Sequence, residues 1–378
     1  MLVMEAERFA GPQVLTARQV PDPVAGPGQV VVRTSAADVL FVDTFIRAGR
    51  AVDFFPIRPP YVPGNGVAGQ VISLGDGVDP GWVGRPVIAH TGGSGGSGGY
   101  AEQVAVAIGE LIPVPGELGL PEAAALLHDG STAMGLLLET GVKPGEQVLV
   151  TAAAGGMGVL LVQLARAAGG RVIGAARGGR KLAVVSDAGA DAVVDYSEPG
   201  WAGQVRELTA GHGPDVVFDG AGGPLGRSAF EIIAPGGRFS AHGMSDGGFA
   251  PLDQAEARRR GVTVNGIGAY EPEVFRQRAA AALAEAAAGR LSPVIGQEYP
   301  LAGAADAHAA LESRLAVAKT LLRPWPPPRP ASPRHRLRFV CSFGCPATRN
   351  CRQSRIHPPI TAPTHPITAN LLRPDLSV

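Results

Sequence analysis

Between Gln147 and Tyr196 the chain reads QVLVTAAAGGMGVLLVQLARAAGGRVIGAARGGRKLAVVSDAGADAVVDY. Val148 to Thr151 has the length and β-branched character of a buried strand, and a glycine-containing turn follows at once. Leu160, Leu161, Leu164 and Ala168 then recur at helical spacing, and Arg171 to Ala176 reads as a second buried strand. Strand, glycine turn, helix and strand make a βαβ unit whose turn is where a dinucleotide pyrophosphate sits.

The three glycine positions of that fingerprint map onto Ala153, Gly155 and Gly158, with Gly156 and Met157 completing the turn. Gly155 lets backbone approach the pyrophosphate, and Gly158 lets the helix lie close to the strand. The bland alternative is small residues serving tight packing; the flanking strands argue against it. No acid ends the second strand to bind ribose hydroxyls. Ala176 is followed by Arg177, Arg180 and Lys181, cations suited to a 2′-phosphate. The reading is NADP(H), against the alternative that Arg180 and Lys181 only begin a solvated helix.

The flanking sequence supplies the setting. Runs at Gln29 to Thr34, Gly69 to Leu74 and Arg85 to Ala89, separated by turn signals, predict a mostly β domain over residues 1–125. GGSGGSGG at Gly92 to Gly99 is either a linker or, as strand character resumes at Tyr100, a loop within that domain. PEAAALLHDGSTAMGLLLETG reads as helix from Pro121 to Gly141, interrupted at Asp129 to Thr132. Repeated strand, glycine loop and helix after it predict a parallel sheet over 126–292. The fold class is α/β, a Rossmann parallel-sheet domain plus a mostly β domain. A strand is expected over Val262 to Gly268 and a helix over Glu271 to Gly289. SPVIGQEYPL and VAKTLL then bracket a helix as a closing piece over 293–323, with Lys319 on a solvent-facing edge.

Composition excludes some functions. A net charge of +0 gives no general attraction to nucleic acid or anionic membrane. The first residues lack signal-peptide order and no apolar run is long enough to span a bilayer, so a cytoplasmic protein is expected. The three cysteines, Cys341, Cys345 and Cys351, lie near the end, so the body has neither disulfide nor cysteine-ligated zinc. From Pro324 the chain turns rich in proline and arginine. Disorder is expected there, with basic-tail binding and a metal site using His357 and His365 as lesser alternatives.

The stretches FVDTFIRAG, VPGNGVAGQV, GGYAEQVAV, VLVTAAAGGMGVLLVQLARAAG, GADAVVDY, VVFDGAGG, PGGRFSAHG and HAALESRLAVAKTLL, in that order over roughly residues 1–323, resemble the zinc-free quinone oxidoreductase branch of the medium-chain dehydrogenase/reductase family. The resemblance implies a GroES-like catalytic domain (1–125 and 293–323) flanking the Rossmann domain, an active cleft between them, NADPH as cofactor and a homodimer. It also implies that Lys181 and Tyr196 contact the adenosine phosphate region; Arg177 joins them by charge and position. The family's AxxGxxG form is kept by Ala152, Gly155 and Gly158. Zinc-dependent relatives carry ligands where this chain has SAADVLF and Gly64, Asn65, Gly66, so no metal is expected. Leu40 and Phe45 stand where relatives commonly have asparagine and tyrosine facing the nicotinamide, which implies a more apolar pocket. Ala318 replaces a glycine before Lys319.

The implied reaction is hydride transfer from NADPH to a quinone or enone, which needs alignment in a water-poor cleft more than a nucleophile. Thr132 is the candidate donor to the acceptor oxygen, or else a helix cap. Tyr61 either covers the cleft or fills the β core. Asp43 and Arg47, four apart, pair as a local scaffold or take part in catalysis. An enoyl or alkenal double-bond reductase and a nonenzymatic NADPH sensor are the alternatives.

Overall fold

The computed structural model describes residues 1–91, 98–267 and 271–324. Apart from Pro324, the tail and its expected disorder lie outside the described residues, with the three cysteines, His357 and His365. So do residues 92–97, most of the GGSGGSGG run, and Gly268.

The first part of the chain is β-rich. Strands β1 (Leu2–Ala6) and β2 (Leu15–Gln19) pair antiparallel. The long strand β3 (Gln29–Val39) runs past Thr34 and is followed by α1 (Phe41–Arg47). Then come β4 (Gly66–Leu74), β5 (Pro86–His90), β6 (Gln103–Ala107) and β7 (Leu111–Pro113). β3 pairs with β4 on one edge and with β6 through its first half on the other, which makes it central. Its VVV run is therefore buried, and Val30 and Val32 pack with Val71, Val87, Tyr100 and Val104 in one apolar core.

Helices α2 (Leu120–Leu126) and α3 (His128–Thr140) come next. The helical break is at Leu127, not at Asp129 to Thr132, which all lie inside α3. Pro121 occupies the first turn of α2, where its missing N–H costs nothing, and Gly141 ends α3 at φ +56°.

The Rossmann sheet contains β8 (Gln147–Thr151), β9 (Arg171–Ala176), β10 (Ala192–Asp195), β11 (Val216–Asp219), β12 (Arg238–Ala241) and β13 (Thr263–Gly266), all parallel, in the order β10-β9-β8-β11-β12-β13. Helices α4 (Gly156–Ala167), α5 (Gly179–Asp187), α6 (Trp201–Leu208), α7 (Gly223–Ile232) and α8 (Gln254–Arg259) connect successive strands. Strand order reverses between β8 and β11, so the loops leaving them diverge and open a crevice at their carboxyl ends.

After α9 (Pro272–Ala287), the chain returns to the first sheet as β14 (Ile295–Pro300), α10 (Ala304–Glu312) and β15 (Lys319–Arg323). β15 lies between β14 and the second half of β3, with Leu321 opposite Asp38. Its position corrects the expectation for Lys319: the strand has neighbours on both sides, and Lys319 is only 3% exposed. One residue earlier, the Ala318 N–H donates to the Ala154 carbonyl (2.6 Å). This ties β15 to the glycine turn after β8. Ala318 has φ +55°, a left-handed conformation that suits glycine, so its methyl carries local strain.

Candidate active site

A cavity of about 380 Å³ opens at the crevice between the β8 and β11 loops. Ala152, Gly155, Gly156, Met157 and Gly158 form one wall, and Gly220, His242 and Gly243 another. The close approach of backbones explains the glycines. A Cβ on Gly158 would lie 2.5 Å from the Ala152 oxygen and 2.8 Å from Ala153 backbone, and one on Gly243 would lie 1.9 Å from the Gly220 oxygen. No side chain caps α4, so its positive end is available to an anion. Asp219 fixes the facing loop. Fully buried, it accepts from Thr151 Oγ1 (2.7 Å) and the N–H groups of Ala221 (3.2 Å) and Gly222 (3.0 Å).

The first glycine position needs correction. Ala152, with φ +49°, lines the cavity, whereas Ala153 is fully buried and outside the lining. Ala153 donates its N–H to the Ala175 carbonyl (3.0 Å) and so holds the turn against β9.

Arg177, Lys181 and Tyr196 all line the cavity, and Arg314 joins them. Lys181 Nζ donates to the Arg314 carbonyl (2.7 Å), and the Arg177 guanidinium lies 5.9 Å from the Tyr196 ring centre. Partial burial, followed by Arg177, Arg314 and Arg180, lowers the Lys181 pKa below its ordinary value. Cations crowded this way gain from an anion between them. Asp195 does not occupy that place; its carboxylate accepts from the Gly178 N–H (2.9 Å). Arg314 was legible only as a cation following α10, and its convergence with the others depends on tertiary structure.

Leu40, Phe41, Val42 and Thr132 also line the cavity. Phe45 and Tyr61 do not, correcting the expectation that Phe45 faces it. Phe45 lies one helical turn beyond Phe41, whose ring packs edge-on against it with centres 5.3 Å apart. It is buried in a cluster with Ile46, Ala51 and Ile57, and Tyr61 packs against that cluster. Tyr61 therefore fills the core, where burial and the Asp43 charge push its phenol pKa up.

Asp43 and Arg47 form separate contacts. Asp43 accepts from the Leu40 N–H (2.9 Å), Asn65 Nδ2 (3.0 Å) and the Tyr100 hydroxyl (3.1 Å), holding the start of α1. Burial raises its carboxyl to about 7. Arg47 reaches back to the Thr44 carbonyl and across to Glu312.

Four ionisable residues that the sequence did not assign to the site meet beside the apolar wall. Asp38 Oδ2 lies 2.7 Å from His128 Nδ1 and 3.6 Å from Lys319 Nζ, which lies 3.2 Å from Asp129 Oδ2. His128, Asp129 and Lys319 line the cavity; Asp38 is fully buried behind them. Opposing contributions set the Asp38 pKa: burial raises it, but His128 and Lys319 together bring it below the ordinary value. The detectable signal was a single lysine within the apolar run VAKTLL, a pattern of a strand buried on both faces. Among the described residues, no group of three or more His, Cys, Asp or Glu is arranged to hold a metal ion, and no helix is long and apolar enough to cross a membrane.

Residues 26–116 match the family model for the alcohol dehydrogenase GroES-like domain, and 156–285 that for zinc-binding dehydrogenase. The chain is 32% identical to quinone oxidoreductase of Sus scrofa over 85% of its own length and 97% of the relative's. It is 33% identical to 2-haloacrylate reductase of a Burkholderia species over 85% and 99%. The crystal structure of Escherichia coli quinone oxidoreductase complexed with NADPH superposes with a TM-score of 0.78 at 27% identity, covering 86% of this chain and 100% of that one.

Proposed function

The chain belongs to the quinone oxidoreductase branch of the medium-chain dehydrogenase/reductase family, and from that premise we propose that it reduces a quinone with NADPH, without zinc. The observation that carries the reading is the convergence of Arg177, Lys181 and Arg314 on the cavity that holds the glycine turn. That cavity suits a dinucleotide: backbone forms the cradle where a Cβ would intrude, and cations await a phosphate.

In this reading the start of α4 holds the pyrophosphate, and Arg177 and Lys181 pair with the 2′-phosphate, with Tyr196 beside them. When bound, the nicotinamide supplies hydride. Leu40, Phe41 and Val42 give the acceptor an apolar wall, and the Thr132 hydroxyl donates to its oxygen. Zinc independence rests on Gly64, Asn65 and Gly66 at the ligand position, with Asn65 engaged by Asp43. In this reading residues 1–125 and 293–323 are the catalytic domain and 126–292 the cofactor domain, and the protein is a cytoplasmic homodimer; sedimentation and cell fractionation test the last two points.

A second reading, reduction of a conjugated double bond, is favoured by the ionisable group at the cavity and by similarity to 2-haloacrylate reductase. Oxidation of NADPH and of NADH by metal-free protein, with 1,4-benzoquinone, 9,10-phenanthrenequinone and a conjugated enone, separates the readings. Quinone turnover preferring NADPH is expected. Enone turnover alone puts the second reading first, and turnover of none rejects both.

A further inference from the structure

His128 begins α3 and Asp38 lies near the end of β3, yet the fold brings His128 Nδ1 within 2.7 Å of Asp38 Oδ2. That contact takes the Nδ1 proton and fixes the ring. The other ring nitrogen, Nε2, is buried and has no hydrogen-bond partner among the described residues. His128 lines the same cavity as Leu40 and Thr132. Its imidazole thus has one nitrogen anchored by a carboxylate and one uncommitted, the arrangement in which a histidine transfers a proton.

The surrounding charges fit that use. Lys319, on β15, faces the carboxylates of Asp38 and Asp129. One ammonium against two carboxylates leaves a negative charge that an imidazolium would balance. His90, on β5, has its ring centre 5.4 Å from that of His128, and burial lowers its pKa to about 4, so it adds no competing charge near neutral pH. Phe275, whose ring centre lies 5.4 Å from that of His128 and 5.9 Å from that of His90, supplies an apolar face. Asp43, on α1, is the next carboxyl, raised to about 7 chiefly by burial.

We infer that His128 is a catalytic residue which delivers a proton from Nε2 to the carbonyl oxygen of a conjugated acceptor, with Asp38 and Lys319 as positioning residues. The inference rests on the oxidoreductase reading of this cavity and deepens its substrate class to α,β-unsaturated carbonyl compounds. Hydride from the nicotinamide adds to the β-carbon. The C=C electron pair forms a new double bond from the α-carbon to the carbonyl carbon, and the carbonyl π pair moves to oxygen. That oxygen bonds the proton leaving Nε2. Neutral His128 regains a proton from water, and the released enol tautomerises to the saturated carbonyl compound. A quinone gives an aromatic hydroquinone anion, a weaker base with less need of an acid.

The test compares wild type with His128→Asn, which keeps a donor for Asp38 but no transferable proton, and with His128→Gln in case the first variant does not fold. With NADPH, cyclohexenone turnover should fall about 100-fold, at least about ten times more than phenanthrenequinone turnover. Independently, ¹⁵N NMR of cofactor-free protein should show one imidazole, missing in the variant, whose Nδ1 carries the proton bonded to Asp38. Equal loss with both acceptors, an unaffected enone rate, or a His128 Nδ1 without its proton overturns the role of His128 and leaves the quinone reading standing. No wild-type turnover of either acceptor overturns both.

Discussion

Arg177 and Lys181 act on one volume from the end of β9 and the first turn of α5. If they pair with a 2′-phosphate, Arg177→Ala with Lys181→Met should weaken NADPH binding about 10- to 100-fold, from loss of charge-assisted hydrogen bonds. NADH binding should change by less than about threefold. Fluorescence titration measures both; equal losses would reject the phosphate contact. Gly158→Ala tests the cradle. Its Cβ would meet backbone at 2.5 Å, so the change should cost about 1–3 kcal/mol of stability on urea unfolding, and an unchanged midpoint would contradict that packing. Leu40→Asn should alter acceptor preference, whereas Phe45→Tyr should not, because only Leu40 lines the cavity. Steady-state kinetics across the acceptor panel checks this pair. Arg177 was legible because it follows a strand ending without an acid. His128 and Lys319 were not, since their meaning comes from residues about 90 and 280 positions away in the chain, which only the folded sheet brings near.

At the scale of elements, α1 and β15 place the site. Asp43 accepts from three donors at the start of α1. Asp43→Ala leaves those donors without their acceptor in a buried place and should destabilise by about 3 kcal/mol, with Asp43→Asn costing less. Equal costs in chemical denaturation would place the effect in charge rather than in hydrogen bonding. The strand–turn–helix order around Gly155 was legible because local pattern sets it. The break at Leu127 was misplaced to Asp129 because both helices are alanine- and leucine-rich, and the turn between them carries neither glycine nor proline. The exposed-edge expectation for Lys319 failed because strand order, a tertiary property, decides which strands are internal.

Over the whole molecule, buried titratable groups set the response to acid. Burial lowers His90 and His242 to about 4 and His308 to about 3, all from 6.5. As pH falls below 6.5, the unfolded chain binds protons that these folded histidines refuse, so stability declines. Asp43 opposes them: raised to about 7, it contributes stability at low pH that is lost as pH rises through that value. Three histidines outweigh one carboxyl. The melting temperature should therefore be lower at pH 5 than at pH 7 by about 5 °C, and a higher value at pH 5 would refute this balance. The α/β class and the parallel sheet were legible from repeated strand, glycine loop and helix. The return of β15 to β3, which completes the ionisable group, was not legible as a contact. Calorimetric titration of the wild-type protein with NADPH and with NADH shows whether this cavity is built for NADPH. NADPH should bind at least about tenfold tighter; equal affinities, or a preference for NADH, would show that it is not.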